Sequence, residues 1–239
     1  MGANASWFGD GGDMMKGWKE RGRKDFWNPP EGDTLVYICP PCREDDRRNF
    51  YEVRVHYSVG AKNGMAVCLD KQENPILSNP HIARFIGDKD IEGGCPVCKD
   101  LDSGAVPDPE KMEAMRPSWK YMWAVIPVAT RASARDSWRY FDTMNVVPMF
   151  CGQQIWDGIC EVFANEGNIT DPDRAIYVRI NKKGTAKNSK YQVQGDTETL
   201  RKPICLSEEV RASIATALAP SGSCDSYQLI GRITYPVRK

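Results

Sequence analysis

The chain has two histidines, His56 and His81, among 239 residues. A His-based catalytic triad therefore has little material to draw on. It also lacks an excess of either charge: 32 Lys and Arg stand against 32 Asp and Glu, so a polyanion would have to be met by local charge and not by a basic protein as a whole. No run approaches the roughly 18 apolar residues of a membrane-spanning helix. No secretory signal is visible, which points to a soluble protein of a reducing, cytoplasmic compartment. Neither a Walker A sequence nor a Rossmann glycine fingerprint occurs. Carboxylate pairs are too numerous for any one of them to stand out. The expectation is a protein that is not an enzyme.

Cysteine, by contrast, is plentiful. There are nine, an odd number, and two pairs have C-x-x-C spacing. His56, Cys68, Cys95 and Cys98 read H-x11-C-x26-C-P-V-C. Two thiolates at C-x-x-C spacing reach one ion from a tight turn, and a third Cys with a His completes a closed four-coordinate set. This pattern predicts one structural Zn2+ per chain, with no open position for water activation. Two alternatives stand beside it. Cys39, Cys42, Cys95 and Cys98 could form a zinc ribbon in a protein-protein or transcription-related module. Alternatively, Cys39-Pro-Pro-Cys42 after the apolar run LVYI could be a thiol-disulfide centre, although the seven polar residues that follow are too few for the helix such a motif caps. His81 follows Pro80 and reads as a loop residue. Cys151, Cys160, Cys205 and Cys224 lack ligand spacing and read as buried small apolar residues.

The pattern along the chain is mainly β with some α. Residues 1–28 are glycine-rich, with basic and aromatic residues mixed, and read as an amino-terminal arm. Strands are predicted at 33–39, 50–57, 64–70, 119–130 and 138–147. A helix is predicted over 152–164 and another after Ser207. Residues 175–181 and 190–194 read as a hairpin, and 227–235 as a last strand. Residues 71–115 read as irregular and acidic, a segment with little to bury that a metal could staple, which places a zinc subdomain at about 53–115 within a core spanning 29–239.

Charge is segregated. Six basic residues and no acid lie between Arg174 and Gly195. A second basic stretch covers 116–139, and both carry aromatics. Cations for phosphates beside ring faces for unstacked bases suit a single-stranded nucleic acid. The candidate phosphate contacts are Lys120, Arg131, Arg139, Lys182, Lys183, Lys187 and Lys190. The candidate stacking rings are Trp119, Tyr121, Tyr140 and Tyr191.

The order of these motifs is specific. It runs strand-His56, Cys68, Cys95-Pro-Val-Cys98, then W-x-x-x-W-A-V-I-P-V, then Q-Q-I-W-D, then A-I-Y-V-R-I-N with a following K-Y. Over residues 30 to 195 it resembles the single-stranded-DNA-binding (helix-destabilising) proteins of T-even and related bacteriophages. The resemblance implies an OB-type β barrel with an inserted zinc subdomain held by His56, Cys68, Cys95 and Cys98. It implies sequence-independent coating of single-stranded DNA in phage replication, recombination and repair, in the cytoplasm of an infected bacterium. It also implies self-association through the amino-terminal arm. Two features depart from the family: the interval from Cys68 to Cys95 is long, and the chain ends in Val237-Arg238-Lys239 without the acidic tail that meets replication partners.

Overall fold

A computed structural model describes residues 26–41, 50–59, 64–80, 82, 86, 91–142, 144–184, 188–220, 222–225, 229–230 and 233. The amino-terminal arm up to residue 25, Cys42, His81 and Lys187 lie outside these described residues. The chain divides into two compact units. One holds residues 52–119; the other holds 27–51 and 120–226. The strands are β1 (Gly32–Ile38), β2 (Phe50–Val59), β3 (Gly64–Val67), β4 (Ser118–Arg131), β5 (Arg139–Tyr140), β6 (Val147–Cys151), β7 (Tyr177–Lys183) and β8 (Lys190–Gly195). The helices are α1 (Pro96–Asp102), α2 (Pro109–Met115), α3 (Gln153–Glu166), α4 (Thr197–Arg201) and α5 (Glu208–Leu218).

The larger unit is organised around β1, whose seven residues GDTLVYI are all buried. A strand can be buried throughout only if both faces of its sheet are covered. Leu35 and Tyr37 join Ala124, Ile126 and Tyr177 in one apolar cluster, which Ile214, Ala217 and Leu218 of α5 complete. The intervening Val36 and Ile38 join Tyr121, Trp123, Val125, Val178 and Ile180 in a second, completed by Ile155, Ile159 and Val162 of α3. Alternation along the strand thus feeds two cores, each closed by a helix. The pairing path in this unit is β4-β1-β7-β8, with β5 and β6 both pairing with β4, and every named pair is antiparallel. Among the described residues β8 has no strand partner besides β7. The path is therefore open, in place of the closed OB-type barrel that the sequence resemblance implies.

Local sequence accounts for the element limits. Ile155, Ile159 and Val162 of α3 recur at helical spacing and are buried, and the helix stops at Gly167, whose φ of 76° favours glycine. Ser207 caps α5 by accepting from the Val210 amide. Pro127 lies inside β4 where it cannot donate a ladder bond, and the β1–β4 register shifts beside it, between Leu35 and Val36. The strand predicted over 138–147 is interrupted: only Arg139–Tyr140 pairs, and a separate strand starts at Val147. Of the strand predicted over 227–235, the described residues Leu229, Ile230 and Ile233 are helical. Their spacing suits one helix face as well as it suits a strand.

The smaller unit begins with the β2–β3 hairpin, in which Val55 faces Val67 and His56 faces Ala66. Residues 71–115 are more regular than their composition suggests. They contain a 3-10 turn at Pro75–Ser78, then α1 and α2. Each of these short helices has proline in its first turn, and Asp108 caps α2 by accepting from the Glu110 and Lys111 amides.

The junction of α3 and β8 leaves no room for a side chain at Gly158, where a Cβ would collide with the side chain of Val193. Gly158→Ala gains about 1 kcal/mol of helix propensity. Overpacking against a branched Cβ costs about 1–3 kcal/mol, so the clash should win. The expected result is a lower denaturant midpoint with an unchanged slope; a midpoint at or above the parent's would refute the packing argument.

Candidate functional site

Three elements of the smaller unit converge on one cluster. His56 comes from β2, and Cys68 directly follows β3, where its amide donates to the Arg54 carbonyl at 2.8 Å. Cys95 is the residue before α1, and Cys98 lies in that helix's first turn. The four potential ligand atoms lie within 4.8 Å of one another. Cys68 Sγ and Cys98 Sγ are 3.7 Å apart. His56 Nε2 is 3.2 Å from Cys95 Sγ and 3.6 Å from Cys98 Sγ. A tetrahedral ion bound at about 2.3 Å to sulfur and about 2.0 Å to nitrogen spaces its ligand atoms about 3.5–3.8 Å apart. The Cys68–Cys98 and Cys98–His56 separations match that spacing, the Cys95–His56 one is slightly short, and the whole set stays within 4.8 Å.

The supporting contacts favour a metal site. His56 Nδ1 lies 2.8 Å from the Met115 carbonyl at the end of α2. A carbonyl only accepts, so Nδ1 carries the hydrogen and Nε2 is the ligand atom. Asn74, with no solvent exposure, donates to the Cys68 carbonyl at 2.8 Å and accepts from the Arg54 amide at 3.1 Å. It thereby ties the Cys68 segment to β2. Without a cation the four groups must share protons. Burial works against the His56 imidazolium, but hydrogen bonds to the Cys68 and Cys95 sulfurs outweigh it and push its pKa up to about 10. Hydrogen bonds with Cys68 and Cys98 hold the Cys95 thiol well below the usual thiol range, while Cys98 is pushed up by its contacts with Cys68 and Cys95. Such a set attracts positive charge, and one metal ion fits it.

The remaining cysteines are placed differently. Cys39 has no solvent exposure and sits in the α5-side apolar cluster of the larger unit, outside the four-ligand group. An attacking thiolate must reach its substrate, so this burial counts against a thiol-disulfide role. Cys151 and Cys224 are buried and Cys160 is half-buried. Cys205 departs from the expectation of burial: it is exposed, 3.1 Å from Arg211 Nη2.

The larger unit presents a polar face built by strand register. Residues directly opposite in a ladder share a face, as do alternate residues in a strand. Tyr140 is opposite Ala129, which pairs through Leu35 to Arg179 and Gln194. The next row is Arg131, Asp33, Asn181 and Gln192, and the last is Lys183 with Lys190. A cleft of about 400 Å³ opens here, lined by residues 31–33, 132–134, 179, 181–183, 192 and 194. Asp33 is 5% exposed and accepts hydrogen bonds from two sides. Arg131 Nε donates to it at 2.8 Å, and Asn181 Nδ2 at 2.6 Å. The Arg131 guanidinium also lies 4.2 Å from the Trp138 ring centroid.

The predicted nucleic-acid residues are therefore distributed unequally. Arg131, Tyr140, Lys183 and Lys190 share this face, with Tyr140 66% exposed. Lys182 and Tyr191 pair with each other on the opposite face, where Lys182 Nζ donates to the Pro29 carbonyl and Tyr191 packs on the α3-side core. Arg139 also falls on that opposite side, across from Thr130. Tyr121 leaves the stacking set: it is 5% exposed, its ring is stacked on Trp156, and its hydroxyl donates to Gln153. Lys120 is half-buried at the far end of β4, and burial lowers its pKa. Trp119 belongs to the smaller unit, with the Arg54 guanidinium 5.9 Å from its ring. Arg179, Asn181, Gln192 and Gln194 were not singled out as contacts. Period-two alternation from Lys183 reaches the first two, and from Lys190 the last two. Searches of protein-family models and of curated proteins return no match to this sequence.

The purified parent should carry one divalent ion per chain by atomic emission, as should Cys39→Ser, whereas His56→Ala and Cys95→Ser should carry none. Removing the ion should speed amide exchange within 53–115, because the binding energy of a closed site is folding energy; unchanged exchange would argue against a structural ion. Separately, Asp33→Ala leaves Arg131, whose side chain is 13% exposed, buried without its partner. Its stability should fall by about 3–5 kcal/mol in chemical denaturation. Asp173→Ala, at a pair whose carboxylate is 70% exposed, should cost under about 1 kcal/mol.

Proposed function

We propose that the chain is a non-catalytic single-stranded-DNA-binding protein whose three-cysteine, one-histidine site holds one structural zinc ion. The observation that carries this reading is the face on which Arg179, Lys183 and Lys190 are aligned by register with exposed Tyr140 and a row of amides. Phosphates meet the cations and a base lies on the ring. Asp33 does not oppose this, because Arg131 and Asn181 already satisfy it. The zinc assignment rests on the donor set: three sulfurs and one imidazole at tetrahedral spacing suit zinc, and bound zinc there supplies folding energy. An open sheet with this face serves the function without a closed barrel. The motif order in the sequence supports the wider setting: coating of single strands in phage replication, recombination and repair in the bacterial cytoplasm, with self-association through residues 1–28 and contacts to replication proteins.

The test is a fluorescence titration against single-stranded and duplex oligonucleotides over a range of salt. Single strands should bind more tightly than duplex. Log affinity should fall linearly with log salt, and Arg179→Ala/Lys183→Ala/Lys190→Ala should flatten the slope by about 0.7 per lost contact. Tyr140→Ala should cost roughly 1–3 kcal/mol and leave the slope alone. Equal affinity for duplex, or a triple variant with the parent's affinity and slope, would refute the reading.

A further inference from the structure

Asn181 is the residue on this face whose hydrogen-bonding sense is set from behind. Its partner there is the Asp33 carboxylate, which can only accept, so the atom 2.6 Å away must be the amide nitrogen. Asp33 is in turn held by Arg131 at 2.8 Å, and the two side chains are only 6% and 13% exposed. A shielded ion pair thus fixes the amide, and its oxygen Oδ1 is left as an acceptor. Gln192 lies directly opposite Asn181 in the β7–β8 ladder, and both line the cleft.

The cleft has walls of opposite character. Glu31 and Asp33 stand on the β1 side, and Arg179 and Lys183 on the hairpin side. A phosphate is drawn to the second wall and repelled by the exposed Glu31. Asn181 lies between Arg179 and Lys183 on the same strand, and there its acceptor oxygen can meet a donor on a base edge but not a phosphate.

We infer that Asn181 makes the cleft selective among bases, favouring those with an exocyclic amine, so that cytosine is held above uracil. The inference rests on the single-strand reading given above. The cytosine amine donates to a fixed acceptor. Uracil carries a carbonyl oxygen at the same ring position and sets acceptor against acceptor. Phosphate contacts and ring stacking cannot make this distinction, because both pyrimidines share them.

The experiment titrates the full chain with oligo(dC) and oligo(dU) of equal length at one salt concentration. The two strands share backbone and ring size, and neither carries the thymine methyl. One net hydrogen bond corresponds to a preference for dC of about threefold to tenfold. Asn181→Ala should bring the ratio to one while leaving the salt slope at the parent's value. If that variant does not fold, a strand of dC dimethylated at the exocyclic nitrogen replaces it, and its affinity for the parent should fall at least to the dU level. A parent ratio of one, or a preference that persists in folded Asn181→Ala or with the dimethylated strand, overturns the inference and leaves the single-strand reading standing. Failure of the parent to bind either strand overturns both.

Discussion

β1 has water on neither face. Its seven residues lie between β4 and β7, and their side chains alternate into two separate apolar clusters. Each face of the sheet therefore needs its own cover, and α3 and α5 are amphipathic for that reason. The register that buries Leu35 and Tyr37 on the α5 side also carries Asp33, Asn181 and Gln192 along the same face to the sheet's polar end. The cleft is the place where that face runs out of apolar residues. A one-residue slip would send Arg179 and Lys183 to the α3 side and expose Ile180, so the hydrophobic pattern of β1 and β7 fixes the position of the basic residues too.

Charge along the sequence and charge at the cleft are different quantities. Arg131 counts as basic in composition, yet its guanidinium is committed to Asp33 and stacked near Trp138. Lys182 is adjacent to Lys183 in sequence but donates to the Pro29 carbonyl from the other face. Among the described residues, the cations left on this face between 174 and 195 are fewer than the acid-free run suggests, with Lys183 opposite Lys190 and Arg179 two rows away. Fewer, better-placed charges favour a defined track over a diffuse attraction for any polyanion.

The four clustered residues were legible in sequence because their chemistry is local in type: Cys and His at ligand spacing have few other uses together. Strand positions were legible wherever burial on both faces produced continuous apolar runs, as in β1 and β4. Three things were not. Whether the strands close a barrel depends on pairing between distant segments, which no single segment encodes. The fate of each aromatic ring depends on which face its strand buries, so Tyr121 and Tyr140 looked equivalent until register separated them. The short helices α1 and α2 were hidden by an acidic, proline-containing composition, although Pro96, Pro109 and the capping Asp108 were the signals of their starts.

The way the four ligands are distributed also bears on how the smaller unit folds. Cys95 and Cys98 belong to one turn, and His56 and Cys68 are joined by the β2–β3 hairpin with its own ladder. The site is thus assembled from two local halves. An ion captured by either half has a single long loop left to close, the one between Cys68 and Cys95. Loop-closure entropy rises only slowly with length, each doubling adding about 0.6 kcal/mol. The 26-residue interval between Cys68 and Cys95 is therefore a small entropic burden. Loop-closure entropy alone therefore sets only a weak limit on the length of this interval.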